Sequence, residues 1–198
     1  MKVSLYIEGG GESRSLQIEC RAGFRKLFEC AGFMGRMPKT HACGSRNRAF
    51  DDFNSALRIA EADEYPVLLV DSEGPVTLPA WQHLARDGWV RPNGVDDDQA
   101  QLMVQCMETW CVADRAALRA FFGQCLVPNA LPPLNGLEER AKDDVQARLA
   151  NATRPCGRDR AYAKGNRSFK LLGSLDPAEL RNHLPYFVLL CDALQQRL

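Results

Sequence analysis

One short segment limits the fold of this chain more than any other. Residues 65–71, YPVLLVD, place four consecutive apolar residues directly before an aspartate, and a loop signal follows. The apolar run is too short for a helix by itself and is typical of a strand that is buried on both faces. Such strands belong to parallel sheets that carry helices on both sides, so we expect an α/β fold.

Two earlier units also pair a strand with a helix. Residues 2–8, KVSLYIE, predict a strand that ends at a glycine cluster, and apolar residues at helical spacing predict a helix over 13–32. Residues 37–44 predict a short extended segment, and Ser45 is a suitable N-cap for the helix that follows. This alternation implies a central, mainly parallel sheet with right-handed crossovers and flanking helices.

The second half of the chain is less regular. Pro, Gly and Asp residues over 79–98 predict a long loop, and loops of this length tend to be functional. Residues 102–123 predict a strand that enters a helix, with one continuous helix as the alternative. After an irregular linker, helices are predicted over 137–154 and in the final segment 174–198.

Length and charge limit the classes of function. With 198 residues, 45% of them hydrophobic, the chain can bury one core. We expect an α/β core over 1–123, with a linker, a basic loop and a C-terminal helical extension over 124–198 packed on it. Because the charges of 25 basic and 25 acidic residues cancel, nucleic acid would have to bind at a local patch.

No apolar run approaches the roughly 20 residues that cross a bilayer, so we expect a cytoplasmic protein.

The cysteines do not indicate a metal site. Eight are scattered along the chain without a CxxC pair, and the three histidines lie far apart, which disfavours zinc. Several lie among apolar residues, where a free thiol packs as a small hydrophobic group. We expect all of them to be reduced.

Acidic residues follow two of the predicted strands. Glu8 ends the first strand, and Asp71 with Glu73 ends the buried one. The carboxyl ends of parallel strands meet at one edge of a sheet, and carboxylates gathered there suit Mg²⁺ or Mn²⁺. The alternative is a set of solvated strand-end acids. The glycines after Glu8 match neither phosphate-binding nor dinucleotide-binding motifs, although a phosphate could still approach their amides.

These segments resemble a known domain. YIEGGGE at 6–12 and LLVDSEG at 68–74 resemble the Toprim domain of topoisomerases, primases and small nucleases, with Glu73 where that family more often has Asp. Together with ACGSRN, DSEGPV, MVQCMETWCVADR and YAKGNRSF, they resemble small stand-alone Toprim-like bacterial proteins of unknown function, often encoded beside an ATPase in anti-phage defence loci. The latter resemblance covers nearly the whole chain, and the Toprim resemblance covers mainly residues 3–75.

The resemblance implies a Mg²⁺-dependent (or Mn²⁺-dependent) nuclease that hydrolyses phosphodiester bonds of DNA or RNA as a defence effector. Glu8 would be the general base or acid within the metal-binding set, and Asp71 and Glu73 would coordinate one or two ions. An ATPase and a second copy of the chain are candidate partners. Two alternatives stay open: a non-catalytic Toprim-like subunit that binds an ATPase or nucleic acid, and a metal-dependent phosphatase.

Further candidates lie outside the strand ends. Glu108 joins the catalytic set if a strand ends just before it; otherwise it is a helix-start acid favoured by the helix dipole. Arg46 and Arg48 follow the second strand and could hold a phosphate, or could belong to a solvated helix start. The basic segment 156–170 interleaves aromatic and positive residues, as nucleic-acid surfaces do, and the alternative is a solvated loop. Its candidate nucleic-acid contacts are Lys164, Arg167 and Ser168, with Tyr162 as a base-stacking residue.

Overall fold

A computed structural model describes residues 1–198, and its sheet is wholly parallel. The four strands are β1 (Lys2–Ile7), β2 (Lys39–Ala42), β3 (Glu64–Asp71) and β4 (Ala100–Met103). They lie in the order β2-β1-β3-β4, and every neighbouring pair is parallel. The α/β prediction is therefore confirmed, with β1 and β3 as the two central strands.

Helices surround the sheet and continue after it. They are α1 (Arg14–Phe28), α2 (Arg46–Ile59), α3 (Ala80–Leu84), α4 (Met107–Ala113), α5 (Arg115–Phe122), α6 (Lys142–Thr153), α7 (Asn166–Leu172), α8 (Pro177–His183) and α9 (Pro185–Arg197). The hydroxyl of Ser13 accepts from the Leu16 N–H and caps α1, and Ser45 caps α2 through the Arg48 N–H. Both βα units therefore begin their helices at the residues that their sequences indicate.

The sheet separates two hydrophobic cores. Alternate residues of β3 point to opposite faces, so Val67 and Leu69 pack into a core of 35 buried residues. Leu68 and Val70 pack into a core of 12 buried residues on the other face, beneath α2 and α3. This two-sided burial explains the continuous apolar run of β3, and confirms its prediction as a strand covered on both faces.

The C-terminal helices belong to the larger core. Trp110 of α4 is fully buried and contacts both Phe24 of α1 and Phe187 of α9 edge to face, with ring centroids 6.3 and 5.0 Å apart. Residues from Val3 to Leu194 contribute to this one core. The chain is therefore a single α/β domain with a C-terminal helical extension, as predicted.

Three details of the prediction were wrong. The segment 79–98 is not only loop, because it contains α3 and buries Trp81 and Trp89 in the smaller core. The final helix is divided into α8 and α9, since Pro185 has no N–H with which to continue α8. Cys125 and Cys156 form a disulfide, so the expectation that every cysteine is reduced fails for this pair. These two cysteines are 31 residues apart in the sequence. They lie together in the fold because the turn after α5 packs beside the end of α6.

No helix combines the length and the apolar composition that crossing a lipid bilayer requires.

Candidate functional site

Three carboxylates meet at the carboxyl edge of the sheet. Glu8 directly follows β1, Asp71 is the last residue of β3, and Glu73 lies two residues further on. The register that pairs Ile7 with Leu69 brings the ends of the two strands together. One carboxylate oxygen from each acid lies within 4.8 Å of the others. We name these three residues the strand-end acids.

Glu8 and Asp71 form the inner pair of this group. The Asp71 N–H donates to Glu8 Oε2 at 3.0 Å, and Asp71 Oδ1 accepts from the Met107 N–H at 2.9 Å. Burial raises the pKa of Glu8, and the hydrogen bond from Asp71 offsets part of that rise. Burial, reinforced by the negative charge of Glu8, raises the pKa of Asp71 well above its ordinary value. Like charges out of water are unfavourable, so a cation or a proton is stabilised between them.

Glu73 occupies a different environment. Its side chain is 44% exposed, and its backbone has φ 61°, in the left-handed region that side chains other than glycine rarely adopt. The Glu73 N–H donates to the carbonyl of Gln105 at 3.1 Å, which fixes the turn after β3 to the segment after β4. The turn thereby holds the Glu73 carboxylate at the outer side of the strand-end acids.

A lysine that the sequence did not indicate contacts these acids. Lys142, the first residue of α6, places its Nζ 2.5 Å from Glu73 Oε1 and 3.3 Å from Asp71 Oδ2. Burial alone would lower the pKa of Lys142, but the hydrogen bond to Glu73 and the charge of Asp71 raise it overall. Three carboxylates that already attract one cation are a donor set that fits Mg²⁺ or Mn²⁺.

A cavity of about 300 Å³ opens beside the inner pair. The glycine loop of residues 9–11 forms one side of it, and side chains from the C-terminal half form the other. Its lining includes five of the residues predicted for the site: Glu8, Asp71, Glu108, Lys164 and Ser168. Residues far apart in the sequence therefore share one cavity.

The glycine loop needs its glycines to pass this close to its neighbours. Gly9 and Gly44 exchange backbone hydrogen bonds of 2.9 and 2.8 Å, which join the ends of β1 and β2. A Cβ on Gly44 would lie 2.7 Å from the carbonyl oxygen of Gly11. Glycine at position 44 therefore allows the glycine loop to lie directly against the end of β2.

Glu108 lies across the cavity and is almost fully paired. It belongs to the first turn of α4, is only 3% exposed, and accepts from the Tyr162 hydroxyl at 2.8 Å. Its other oxygen accepts from Gln146 Nε2 at 3.2 Å, and Lys164 Nζ lies 3.8 Å away. Glu108 is not among the acids that converge within 4.8 Å. The structure therefore places it in the cavity wall, beside rather than within the strand-end acids.

The basic segment contributes to the same wall. Lys164 is 63% exposed and still lines the cavity. Ser168 is buried in α7, where its hydroxyl donates to the carbonyl of Gly165 at 2.8 Å. Arg167 turns away and donates to the carbonyl of Asp159. We name Glu108, Lys164 and Ser168 the helical wall, together with Tyr162, which does not line the cavity but donates to Glu108.

Arg46 and Arg48 lie outside the cavity lining. Arg46 donates to the carbonyl of Asp71 at 3.0 Å, pairs with Asp87 at 2.9 Å, and stacks 4.4 Å from the centre of the Trp89 ring. Arg48 is 64% exposed and its charged group lies 4.0 Å from Asp52. Arg46 is thus engaged inside the protein beneath the acids, whereas Arg48 is free to move in solvent.

Sequence reasoning missed Lys142 and Gln146. Both belong to a helix whose sequence is polar and carries no motif, so the only available signal was a pair of polar residues four positions apart on one face of α6. Their contacts with Glu73 and Glu108 depend on how α6 packs against α4.

Comparison with known proteins identifies a family but no activity. The family described as a domain of unknown function, DUF4276, matches residues 7–195. Neither the curated proteins nor the solved structures gave a match.

Proposed function

From the premise that the chain belongs to the DUF4276 family, we propose that it is a Mg²⁺-dependent or Mn²⁺-dependent nuclease of the Toprim type. Its reaction would be hydrolysis of a phosphodiester bond in DNA or RNA. A role in anti-phage defence and an ATPase partner enter this proposal from the resemblance alone.

One observation carries the proposal. Glu8, Asp71 and Glu73 bring carboxylate oxygens within 4.8 Å of one another, beside a cavity that also exposes a lysine. Structural acids normally separate or pair one to one with bases, whereas these three share a single lysine, Lys142. Burial raises the pKa of both Glu8 and Asp71. This arrangement supports cation binding next to a pocket for a phosphate group.

The residues have distinct roles in the proposed reaction. The ligands of the ion would come from the group Glu8, Asp71 and Glu73. When bound, a divalent cation stabilises the charge that develops on the phosphate and lowers the pKa of the attacking water. Glu8 borders the cavity, where its carboxylate could accept or return a proton of the reacting groups. Lys164 is exposed at the cavity edge and can bind the phosphate backbone of the substrate.

The test is a cleavage assay with matched variants. Wild type, Glu8→Gln and Asp71→Asn are incubated with plasmid DNA, single-stranded DNA and RNA, each with Mg²⁺, Mn²⁺ or EDTA. Asp51→Asn is the control, because Asp51 is exposed on α2 and makes no ion pair. We expect metal-dependent cleavage by wild type and the control, and none by the other two variants. Cleavage that persists in EDTA, or in Asp71→Asn, would contradict the proposal.

A small-molecule phosphatase is the second candidate. The specific observation in its favour is the cavity volume of about 300 Å³, which is the size of a pocket for a small ligand. Two chromogenic substrates separate the candidates: bis(p-nitrophenyl) phosphate is a diester, and p-nitrophenyl phosphate is a monoester. Preference for the diester supports the nuclease, and exclusive turnover of the monoester supports the phosphatase.

Absence of any turnover would favour a non-catalytic binding subunit. In that case charge reversal at Lys164 should weaken nucleic-acid binding, whereas Asp71→Asn should leave it unchanged. Electrophoretic mobility shift of labelled DNA and RNA would measure both effects.

A further inference from the structure

The position of Lys142 is explained by the acids and not by its own helix. It begins α6, where the helix dipole disfavours positive charge, and the acidic residues Asp143 and Asp144 in the same turn suit that end better. Its ammonium instead reaches Asp71 and Glu73, which lie 71 and 69 residues earlier in the sequence. The side chain is 19% exposed, so these contacts are made largely out of water.

Lys142 divides the strand-end acids into two parts. Its shorter contact is with Glu73, at 2.5 Å, and its longer one is with Asp71, at 3.3 Å. Glu8 is not within ion-pair distance of it. The cavity is lined by Glu8 and Asp71, and by neither Glu73 nor Lys142. The inner pair therefore faces the cavity, while Glu73 faces the lysine.

We propose that Lys142 serves as a built-in cation which neutralises Glu73, so that the cavity takes one divalent ion, held by Glu8 and Asp71. This inference rests on the proposed function, since it assumes a metal centre, and it specifies the number of ions and their ligands. Glu73 becomes a ligand only when Lys142 is removed.

Charge balance supports a single ion. When all three strand-end acids are ionised they carry three negative charges, and Lys142 reduces the sum to two. One divalent cation cancels that remainder, and a second would leave an uncompensated positive charge in a partly buried site. Glu108, the next nearest acid of the cavity, already has Lys164 within 3.8 Å and two hydrogen-bond donors. It supplies no unpaired charge for a second ion.

The test is a titration with Mn²⁺, followed by electron paramagnetic resonance of the free ion, which reports binding without any substrate. The proteins are wild type, Lys142→Met, Glu73→Gln and the double variant, with Asp71→Asn as the ligand variant. Lys170→Met is the matched control, because Lys170 is exposed on α7 and makes no ion pair. Circular dichroism melts establish that each variant is folded.

We expect wild type and Lys170→Met to bind one Mn²⁺. Glu73→Gln should weaken binding less than Asp71→Asn does, because it leaves the charge of Lys142 unneutralised but removes no ligand. Lys142→Met should bind Mn²⁺ at least about tenfold more tightly, or bind a second ion, because it loses a positive charge within a few ångströms. The double variant Lys142→Met/Glu73→Gln should bind one ion, as wild type does. It lacks both the lysine and the Glu73 carboxylate that the loss of the lysine would make available to a metal. Asp71→Asn should bind at least about tenfold more weakly.

Three results would overturn the inference: two ions in wild type, equal weakening by Glu73→Gln and Asp71→Asn, or the same stoichiometry and Kd in Lys142→Met as in wild type. Should Lys142→Met fail to fold, Glu73→Gln against Asp71→Asn still decides the ligand assignment. One bound ion with the expected variants but no cleavage would uphold the inference and contradict the nuclease. No Mn²⁺ binding in any variant would contradict both.

Discussion

The two sides of the cavity treat their carboxylates differently. On the helical wall, Glu108 is buried but receives hydrogen bonds from Tyr162 and Gln146, with Lys164 nearby. On the sheet side, Glu8 is half-buried and Asp71 is buried, and burial raises the pKa of both carboxyl groups. Glu108 has Lys164 to itself, whereas the three strand-end acids share one base, Lys142, and their surplus negative charge retains capacity for a cation. Under the proposed function, the strand-end acids would bind the cation, and the helical wall would shape the cavity beside it.

The largest effect that separates the two sides is expected at Asp71. Asp71→Asn keeps an oxygen for the Met107 N–H but removes the charge that would bind the ion. Metal-dependent cleavage should fall by about 10³-fold or more, an effect of about 4 kcal/mol on the transition state. The melting temperature in EDTA should change little, because the lost contact with Lys142 is offset by removal of the repulsion from Glu8. Steady-state kinetics and thermal melts measure the two effects, and a large loss of stability with preserved activity would reverse the assignment.

A smaller effect on cleavage is expected at Glu108. Glu108→Gln weakens the contacts with Tyr162 and Lys164, so the helical wall loses order. We expect a loss of stability of about 1–3 kcal/mol and a fall in cleavage of about 10–100-fold. Tyr162→Phe should reproduce the smaller part of both losses, and urea unfolding provides the stability. A loss of cleavage at Glu108 as large as that at Asp71, without loss of stability, would move Glu108 into the catalytic set.

The two arginines sharpen the comparison on the sheet side. Arg46→Ala removes a hydrogen bond to the Asp71 carbonyl, an ion pair and a stacking contact with Trp89, so it should destabilise the protein by about 1–2 kcal/mol. Arg48→Ala should change the free energy of unfolding by less than about 0.5 kcal/mol, since Arg48 is exposed. Chemical denaturation of the two variants measures these losses. If Arg46→Ala cost no more stability than Arg48→Ala, the contacts of Arg46 with Asp71, Asp87 and Trp89 would not stabilise the end of β3.

The smallest effect concerns a carboxylate outside the cavity. Glu138 accepts from the Tyr186 N–H but has no ion-pair partner, and burial raises its pKa to about 7. Because the raised pKa means that the folded state binds its proton more tightly than the unfolded state, Glu138 lowers stability as pH rises from about 4.5 to 7. Glu138→Gln should therefore stabilise the protein more at pH 8 than at pH 5.

The difference between those two pH values should be about 1 kcal/mol, since the side chain is only partly buried and solvent screens its charge. Urea unfolding of wild type and Glu138→Gln at both pH values measures it. A difference of zero would mean that folding leaves the pKa of Glu138 unchanged, and a difference of the opposite sign would mean that the fold stabilises its carboxylate form.

The sheet and the strand-end acids could be predicted because their signals are local. The apolar run of β3 fixes a strand, and the acid at its end must then lie at the carboxyl edge, wherever the helices pack. The same reasoning brought Glu8 to that edge from β1. Serines 13 and 45 marked the starts of α1 and α2 for an equally local reason, since a cap needs only the next turn.

The partners of the acids could not be predicted in this way. Lys142 reaches Glu73 across 69 residues, and Tyr162 reaches Glu108 across 54, so both contacts depend on how the C-terminal helices close on the core. Arg46 looked like a phosphate ligand in the sequence, but its neighbours Asp87 and Trp89 come from a segment predicted as loop. The disulfide between Cys125 and Cys156 likewise follows from packing and not from spacing.

The most direct test of the metal centre is a crystal structure of the protein soaked in Mn²⁺, with anomalous diffraction to locate the ion. We predict one anomalous peak in the cavity, about 2–2.5 Å from carboxylate oxygens of Glu8 and Asp71, with Lys142 still in contact with Glu73. Two results would contradict the metal centre and the proposed nuclease activity. One is the absence of an anomalous peak in the cavity, and the other is a peak that is coordinated only by exposed acids elsewhere on the surface.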